Sequence, residues 1–359
     1  MSYEPKVNVP DAAVTLLDIP DTEPGYTRRR DENGDTVYLD SNGSVVRDED
    51  LVERFDELTI PPAWQEVWIC ANESGYLQST GRDEQGRKQY IYHPFWHEYQ
   101  AAHKYAEVLR FGESLPSLRA RVDRDLRRRA LTRERVRALG IAVLDHTAMR
   151  VGHDMYTTQH GSHGLTTLYK EHCSVFSTKV EFCYPGKSGV AREVSLRDRR
   201  LSRQLAKLFD LPGQYLWQYV DGDTRRLHAD DLNHYLCDAT ECEDWSVKYF
   251  RTWSGSVRAL DYLLAIDPPD EETLGASELY ESWSAPHLTG LVEAAASFLG
   301  NTRAVCRDYY IHRDLLTSVQ EGTFWETIPP LLSSWETRHD RVKEQRREEW
   351  ILLELLRTS

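Results

Sequence analysis

No apolar run in this 359-residue chain approaches the roughly 18–20 residues needed to span a bilayer. The opening Met-Ser-Tyr-Glu-Pro-Lys also lacks the basic-then-apolar pattern of a signal peptide. These absences point to a soluble, intracellular protein. The six cysteines (70, 173, 183, 237, 242 and 306) form no Cys-x-x-Cys pair and have no histidine-rich metal spacing. They read as reduced, largely buried thiols, with no disulfide framework and no zinc site. Lysine is scarce, nine against thirty-five arginines, and together with the acid content this hints at a salt-adapted source. No internal repeat or low-complexity tract is present.

What the chain does contain is enough apolar (40%) and aromatic (11%) residue to build folded cores. Its length allows two or three domains. The net charge of −14 argues against nucleic acid until its distribution is considered. Residues 101–150 hold twelve Lys/Arg against six Asp/Glu, whereas residues 31–60 hold two against ten. Phosphate binding depends on the surface that meets the phosphate, so a basic saddle within an acidic chain is workable.

Residues 26–94 show a β-like pattern. Strands are expected at Thr36–Leu39, Ser44–Val46, Glu66–Cys70 and Tyr90–Tyr92, with turns at Gly75, Gly81 and Gly86. A helix is expected from Phe95 to Phe111, with a break at Leu115-Pro116. Beyond it, helices alternate with loops, and Thr132 is positioned to cap a helix running to Arg150. Cys173–Val194 reads as a β-hairpin or small sheet that carries Lys187 near its turn. Asp267–Pro286, with six acids and no base up to Glu281, reads as an internal linker, and Ser333–Leu356 as a closing amphipathic helix.

Several segments have the makings of chemistry. Gln78, Arg82, Arg87, Lys88, Gln89 and Tyr90 lie among glycines, as suits contact with base edges and phosphates, though taken alone the segment is more simply a polar hairpin with solvated charges. Arg150 stands in the otherwise apolar helical stretch Leu144–His153, which implies an anionic partner, either a structural carboxylate or a ligand. Gly164–Lys170 reads as a turn and strand that buttress it. Lys187, in Pro-Gly-Lys-Ser-Gly, does not complete a phosphate loop, because Glu181 occupies the place of its first glycine. It is either an exposed turn lysine or a proton donor over a phosphate. Arg251 lies between aromatics that would hold its guanidinium rigid. Asn301 and Tyr310 stand nine residues apart in Gly300–His312, beyond a helix at Thr289–Leu299. A phenol is a weak nucleophile until cations stabilise the phenolate.

In order and combination these segments resemble the type IB DNA topoisomerases, in their bacterial–poxviral branch. The resemblance runs from about Pro24 to His312. It is carried by Ile60-Pro-Pro-Ala-Trp64, Val67-Trp-Ile-Cys70, Gln78-Ser-Thr-Gly-Arg-Asp83, Gly86-Arg-Lys-Gln-Tyr90, Gly164-Leu-Thr-Thr-Leu168, Gly186-Lys-Ser-Gly189, Phe250-Arg-Thr-Trp253 and Leu299-Gly-Asn-Thr302. By that resemblance Arg150, Lys187, Arg251, Asn301 and Tyr310 are the catalytic set, and Gln78, Arg82, Arg87, Lys88, Gln89 and Tyr90 contact DNA. The chain departs from the family pattern at four positions. Asn301 stands where viral and nuclear members have His, His153 replaces Asn, Arg303 replaces Pro, and Arg313 follows Ile-His where Pro is common.

The resemblance implies an α+β fold. A small β-rich N-terminal DNA-binding domain (1–105) and a larger, mainly helical catalytic domain (106–315) with a small β-hairpin would close as a clamp on DNA. A helical extension (316–359) would follow. It also implies attack by Tyr310 on duplex DNA, a 3′-phosphotyrosyl intermediate, strand rotation and religation. No cofactor, ATP or catalytic metal is expected. The expected enzyme is a monomeric, ATP-independent isomerase, cytoplasmic and nucleoid-associated in a prokaryote. A tyrosine recombinase shares the nucleophile chemistry but requires protomer contacts, and the Gln78–Tyr90 segment argues against it. A non-catalytic DNA clamp requires a missing catalytic group, and all five positions are filled.

Overall fold

The structure, a computed structural model, describes residues 5–9, 14–339, 342 and 344–358. The chain divides into two compact units, Met1–Ala106 and Glu107–Ser359. In the first, β1 (Pro5–Val9) pairs with β2 (Val14–Leu17). An antiparallel sheet of order β4-β3-β5-β6-β7 is built from β3 (Tyr26–Arg30), β4 (Thr36–Leu39), β5 (Gln65–Ile69), β6 (Leu77–Arg82) and β7 (Lys88–Tyr92). The expected strand at Ser44–Val46 is only a bridge, between Leu39 and Val45. Gly81 lies inside β6 rather than at a turn, because Trp64 packs over it; a Cβ there would sit 2.8 Å from the indole. Arg28 fixes the Ile60–Trp64 turn by donating to the carbonyls of Ile60 (2.7 Å), Pro61 (2.8 Å) and Trp64 (3.0 Å). A helix absent from the sequence reading, α1 (Glu49–Glu57), is N-capped by Asp48. It buries Phe55 against Tyr26 and Tyr38, at ring separations of 4.8 and 5.0 Å.

The long helix α2 (Pro94–Leu126) runs through Pro116, where a break was expected. Phe111, Leu115, Leu118, Val122 and Leu126 form a buried stripe along it. Burying five such side chains, at about 1.5–3 kcal/mol each, outweighs the roughly 3 kcal/mol that a proline costs inside a helix.

The second unit is mainly helical, with α3 (Arg133–Thr147), α4 (Asp154–His160), α5 (Arg199–Ala206), α6 (Ala229–Thr240) and α7 (Tyr249–Leu264). These are followed by α8 (Glu271–Gly275), α9 (Ser277–Leu299), α10 (Arg303–Tyr309), α11 (Arg313–Glu321), α12 (Thr323–Thr337) and α13 (Arg347–Thr358). Its sheet, of order β10-β9-β8, comprises β8 (Cys173–Val175), β9 (Val180–Pro185) and β10 (Ala191–Leu196), and β11 (Gln218–Asp221) pairs with β12 (Asp223–Arg226). The expected linker at Asp267–Pro286 is largely helix. Asp270 caps α8, and α9 passes through Pro286 with Tyr280 buried. The single closing helix is instead the end of α12 and the separate α13.

A buried ionic network ties α13 to α2 and α3. Arg119 donates to both oxygens of Asp145 (2.9 and 2.8 Å) and both of Glu349 (2.6 and 2.7 Å). Arg346 reaches Asp145 at 3.0 Å. Burial alone would raise the Asp145 carboxyl, but Arg119 and Arg346 outweigh it and hold it below its ordinary value.

Removing Arg119 leaves two buried carboxylates to the more exposed Arg346 alone, so Arg119→Ala should cost about 3–5 kcal/mol in urea unfolding. The folded pKa of Asp145 is lowered, so its contribution is complete above about pH 4 and lost as pH falls through the folded value. Asp145→Asn should therefore flatten the fall of stability with acid in that range, which unfolding titrations at stepped pH would show.

Candidate active site

Four chain segments of the second unit converge on one cluster. The first follows α3, which ends at Thr147 because Ala148 adopts a left-handed conformation (φ 47°) and its N–H returns to the Leu144 carbonyl at 2.8 Å. Arg150 therefore lies in a loop, not in the helical stretch expected. Its carbonyl accepts the Leu165 N–H at 2.8 Å, and the Val151 carbonyl accepts that of Thr166 at 2.7 Å. The buttress Gly164–Lys170 is present, but as short 3-10 turns (Leu165–Thr167 and Lys170–His172) rather than a turn and strand.

The second segment is the first turn of α7, which carries Arg251, only 5% exposed. Its guanidinium is fixed by main-chain carbonyls, not by the flanking aromatics. It donates to Ala148 O at 2.5 Å and Leu299 O at 3.1 Å. Burial, then the nearby Arg150, pulls its pKa down, while the Tyr310 phenol favours its charge. The third segment is the end of α9. Asn301 follows Gly300, and its Oδ1 accepts a hydrogen bond from Arg150. Its Nδ2 is buried and, the soft Cys306 thiol apart, has no partner among the described residues; Arg251 Nε is likewise buried without one.

Tyr310 closes α10, and its ring lies 5.2 Å from the Arg251 guanidinium. Its N–H donates to Cys306 O at 2.9 Å. The chain behind it is held on α7. The buried His312 N–H donates to Ser256 Oγ at 2.9 Å, and Gly255 lets the Tyr310 carbonyl approach so closely that any Cβ would overlap it. Tyr309, the neighbouring phenol, is 60% exposed.

The fourth segment is the β9–β10 hairpin. Val180, Phe182 and Tyr184 alternate inward on β9, opposite Leu196, Val194 and Arg192 on β10. Burial raises the Tyr184 phenol, against the pull of Arg192, Arg150 and Arg251. Arg192 thus joins the cluster, although the sequence reading missed it. The signal was available, since Arg192 is in phase with Val194 and Leu196. Lys187 is exposed at the hairpin tip, and no hydrogen bond or ion pair among the described residues joins it to Arg150, Arg251, Asn301 or Tyr310. Among the described residues, none of Arg150, Arg192 and Arg251 is paired with a carboxylate. The structure thus gathers three cations, an amide and a phenol into a site suited to an anion with a reacting centre.

In the first unit, Arg82, Arg87, Lys88, Gln89 and Tyr90 lie on or between β6 and β7. Arg82 pairs with Glu66 at 2.7 Å, Arg87 with Asp83 at 2.8 Å and Lys88 with Asp21 at 2.5 Å. Gln89 donates to Asp83 at 2.9 Å, and Tyr90 is exposed. Gln78 corrects the expectation, being only 3% exposed. Its Nε2 donates to Glu73 O (2.8 Å) and Gly75 O (2.6 Å), and its Oε1 accepts from Arg54 (2.8 Å). Those bonds use both Nε2 hydrogens, so Gln78 holds the β5–β6 connection together instead of donating to a base edge.

Residues 94–320 match the family model of the eukaryotic DNA topoisomerase I catalytic core, and residues 36–83 match that of the bacterial DNA topoisomerase IB N-terminal domain. DNA topoisomerase 1B of Acanthamoeba polyphaga mimivirus is 28% identical over 291 residues, covering 79% of this chain and 84% of that protein. Among solved structures, the XerH site-specific recombinase bound to difH substrate in a pre-cleavage complex aligns with a TM-score of 0.36 at 14% identity. That alignment covers 59% of this chain and about half (52%) of the recombinase chain.

A side chain at residue 255 must push the Tyr310 backbone off α7. Gly255→Ala should cost about 1–3 kcal/mol in thermal unfolding. It should also move the phenol relative to Arg251, which changed NMR chemical shifts of the Tyr310 ring, assigned against a Tyr310→Phe control, would report.

Proposed function

The chain belongs to the DNA topoisomerase I family, and from that premise we propose that it relaxes supercoiled duplex DNA through a transient covalent bond to Tyr310. The observation that carries this reading is the set of three guanidinium groups, none paired with a carboxylate among the described residues, beside the half-buried Tyr310 phenol. An unneutralised cationic site is what a phosphodiester, and the more highly charged transition state for attack upon it, requires.

Tyr310 Oη attacks the phosphorus, its proton leaves, and the bond to the 5′-oxygen breaks. A 3′-phosphotyrosyl ester and a free 5′-hydroxyl result. Arg150 and Arg251 stabilise the extra negative charge, and Asn301 donates to a non-bridging oxygen. The hydrogen bond from Arg150 to Asn301 Oδ1 supports that role by orienting the amide nitrogen as the donor. Lys187 protonates the leaving 5′-oxygen. Its exposure at a hairpin tip suits a group that meets the phosphate only when DNA is bound. One ester is exchanged for another, so bond energy is conserved and the cycle needs no ATP. After strand rotation the 5′-hydroxyl attacks the phosphotyrosine and restores the strand.

In this reading residues 1–105 bind DNA through Arg82, Arg87, Lys88, Gln89 and Tyr90, and residues 106–315 cut it. Residues 316–359 extend the catalytic part, and the monomer closes as a clamp. The match of residues 36–83 to the bacterial DNA topoisomerase IB N-terminal domain supports relaxation over strand exchange and a prokaryotic source, and in this reading the enzyme works on the nucleoid in the cytoplasm. Among the described residues no helix is long and apolar enough to cross a membrane.

Tyr310→Phe should bind duplex DNA yet relax no supercoils and form no covalent complex; full relaxation by that variant overturns the reading. Lys187→Ala should slow cleavage of an ordinary phosphodiester by about 10²–10⁴-fold. The defect should largely vanish when a bridging 5′-sulfur, which leaves without a proton, replaces the 5′-oxygen. Equal slowing on both substrates rules out the acid role.

A further inference from the structure

We infer that Arg192 is a positioning residue that locks the Lys187 hairpin to the Asn301–Tyr310 segment. The inference rests on the reading of Lys187 as the proton donor. Lys187 itself is exposed, and among the described residues no hydrogen bond or ion pair joins it to the other four groups, so something else must set its place over the scissile phosphate. The turn that carries it is tightly closed, with Gly186 N–H donating to Val190 O at 2.8 Å and Gly189 N–H to Gly186 O at 3.0 Å. These bonds tie the turn to the ends of β9 and β10.

Arg192 is the side chain that bridges this turn to the opposite wall. Its stem lies on Gly186, where a Cβ would stand 2.6 Å from Arg192 Cγ. Its guanidinium lies against Gly300, where a Cβ would overlap both Nη1 and Cζ. Nη2 points to the Phe298 carbonyl at 3.4 Å, at the end of α9. One side chain therefore spans from the residue before Lys187 to the residue before Asn301. A glycine at each end makes room for it. Strand alternation explains its direction, since Arg192 faces inward opposite Tyr184 in register. The end of a helix is a favourable seat for a cation, which lets the contact hold without a carboxylate that would cancel the charge of the cradle.

The test is single-turnover cleavage by wild type, Arg192→Ala, Lys187→Ala, the double variant and Gly186→Ala, each on the ordinary and the 5′-bridging-sulfur substrate. Gly186 has φ −89° and ψ −163°, an extended backbone that alanine also adopts, so its Cβ displaces the arginine stem while leaving the charge in the molecule. Misplacing a catalytic group by about 1 Å costs on the order of 10²-fold. Arg192→Ala and Gly186→Ala should slow the ordinary substrate by about that much and recover on the sulfur substrate. The double variant should be no slower than Lys187→Ala alone. Slowing by Arg192→Ala that is equal on both substrates, or additive with Lys187→Ala, makes Arg192 a phosphate-binding cation instead and overturns the inference. So does an unaltered rate in both Arg192→Ala and Gly186→Ala. If Lys187→Ala itself is not rescued by sulfur, the acid reading of Lys187 fails and this inference falls with it.

Discussion

The cluster around Tyr310 depends on holding like charges together without neutralising them. At an effective dielectric of about 20, two unit charges about 5 Å apart repel by about 3 kcal/mol, and three guanidinium groups meet here. A carboxylate would relieve the repulsion, but it would also occupy the place of the anion. The chain uses the ends of helices instead. Arg251 is held by the carbonyl of Ala148, which caps α3, and by that of Leu299, the last residue of α9, while Arg192 points to Phe298 in the same final turn. The last carbonyls of a helix lack intrahelical partners and carry a partial negative charge. They satisfy part of each guanidinium's donor set at a fraction of the charge of an acid.

The contrast with Arg119 makes the point sharper. That arginine is also largely enclosed, but it carries two carboxylates in bidentate contact and a third helix pinned through Glu349. Its charge is cancelled, and it serves only to hold α2, α3 and α13 together. The same α3 thus has a neutralised arginine site along its length and an unneutralised one past its C-terminus. The stable network anchors the helix whose end supplies the Ala148 carbonyl and the loop of Arg150. Strain tolerated at a functional cluster needs rigid surroundings of this kind.

Much of this was legible in the sequence, for identifiable reasons. The β-rich first unit, the hairpin at Cys173–Val194 and the Thr132 cap follow from local alternation and capping, and they appear in the structure. The five residues around the proposed phosphate site were named through family resemblance. Local pattern would have left Tyr310 an ordinary packed tyrosine. What was misread depended on distant partners. Pro116 was read as a break because local sequence does not show how much of α2 is buried. Gln78 looked like a reader of bases because Arg54, which takes its carbonyl oxygen, is 24 positions away. Arg192 was overlooked although its phase in β10 marked it as inward-facing, because an arginine in a short strand is ordinarily assigned to solvent.

Acidity bears on the same question from outside. Exposed charges are screened within about 8 Å at physiological salt and about 3 Å at 1 M, so the net charge of −14 opposes DNA less as salt rises. The buried Arg251 acts at contact and is screened far less. On the first unit, Arg82, Arg87 and Lys88 each already hold an acid of their own chain. A phosphate that takes the place of such an acid exchanges one ion pair for another and frees few bound ions. Binding on those terms has a shallower salt dependence than binding to bare lysines, whose affinity comes from counterion release. An acidic protein poor in lysine, with Arg251 enclosed and with Arg82, Arg87 and Lys88 each paired to an acid, is thus suited to the proposed action on DNA where salt is high.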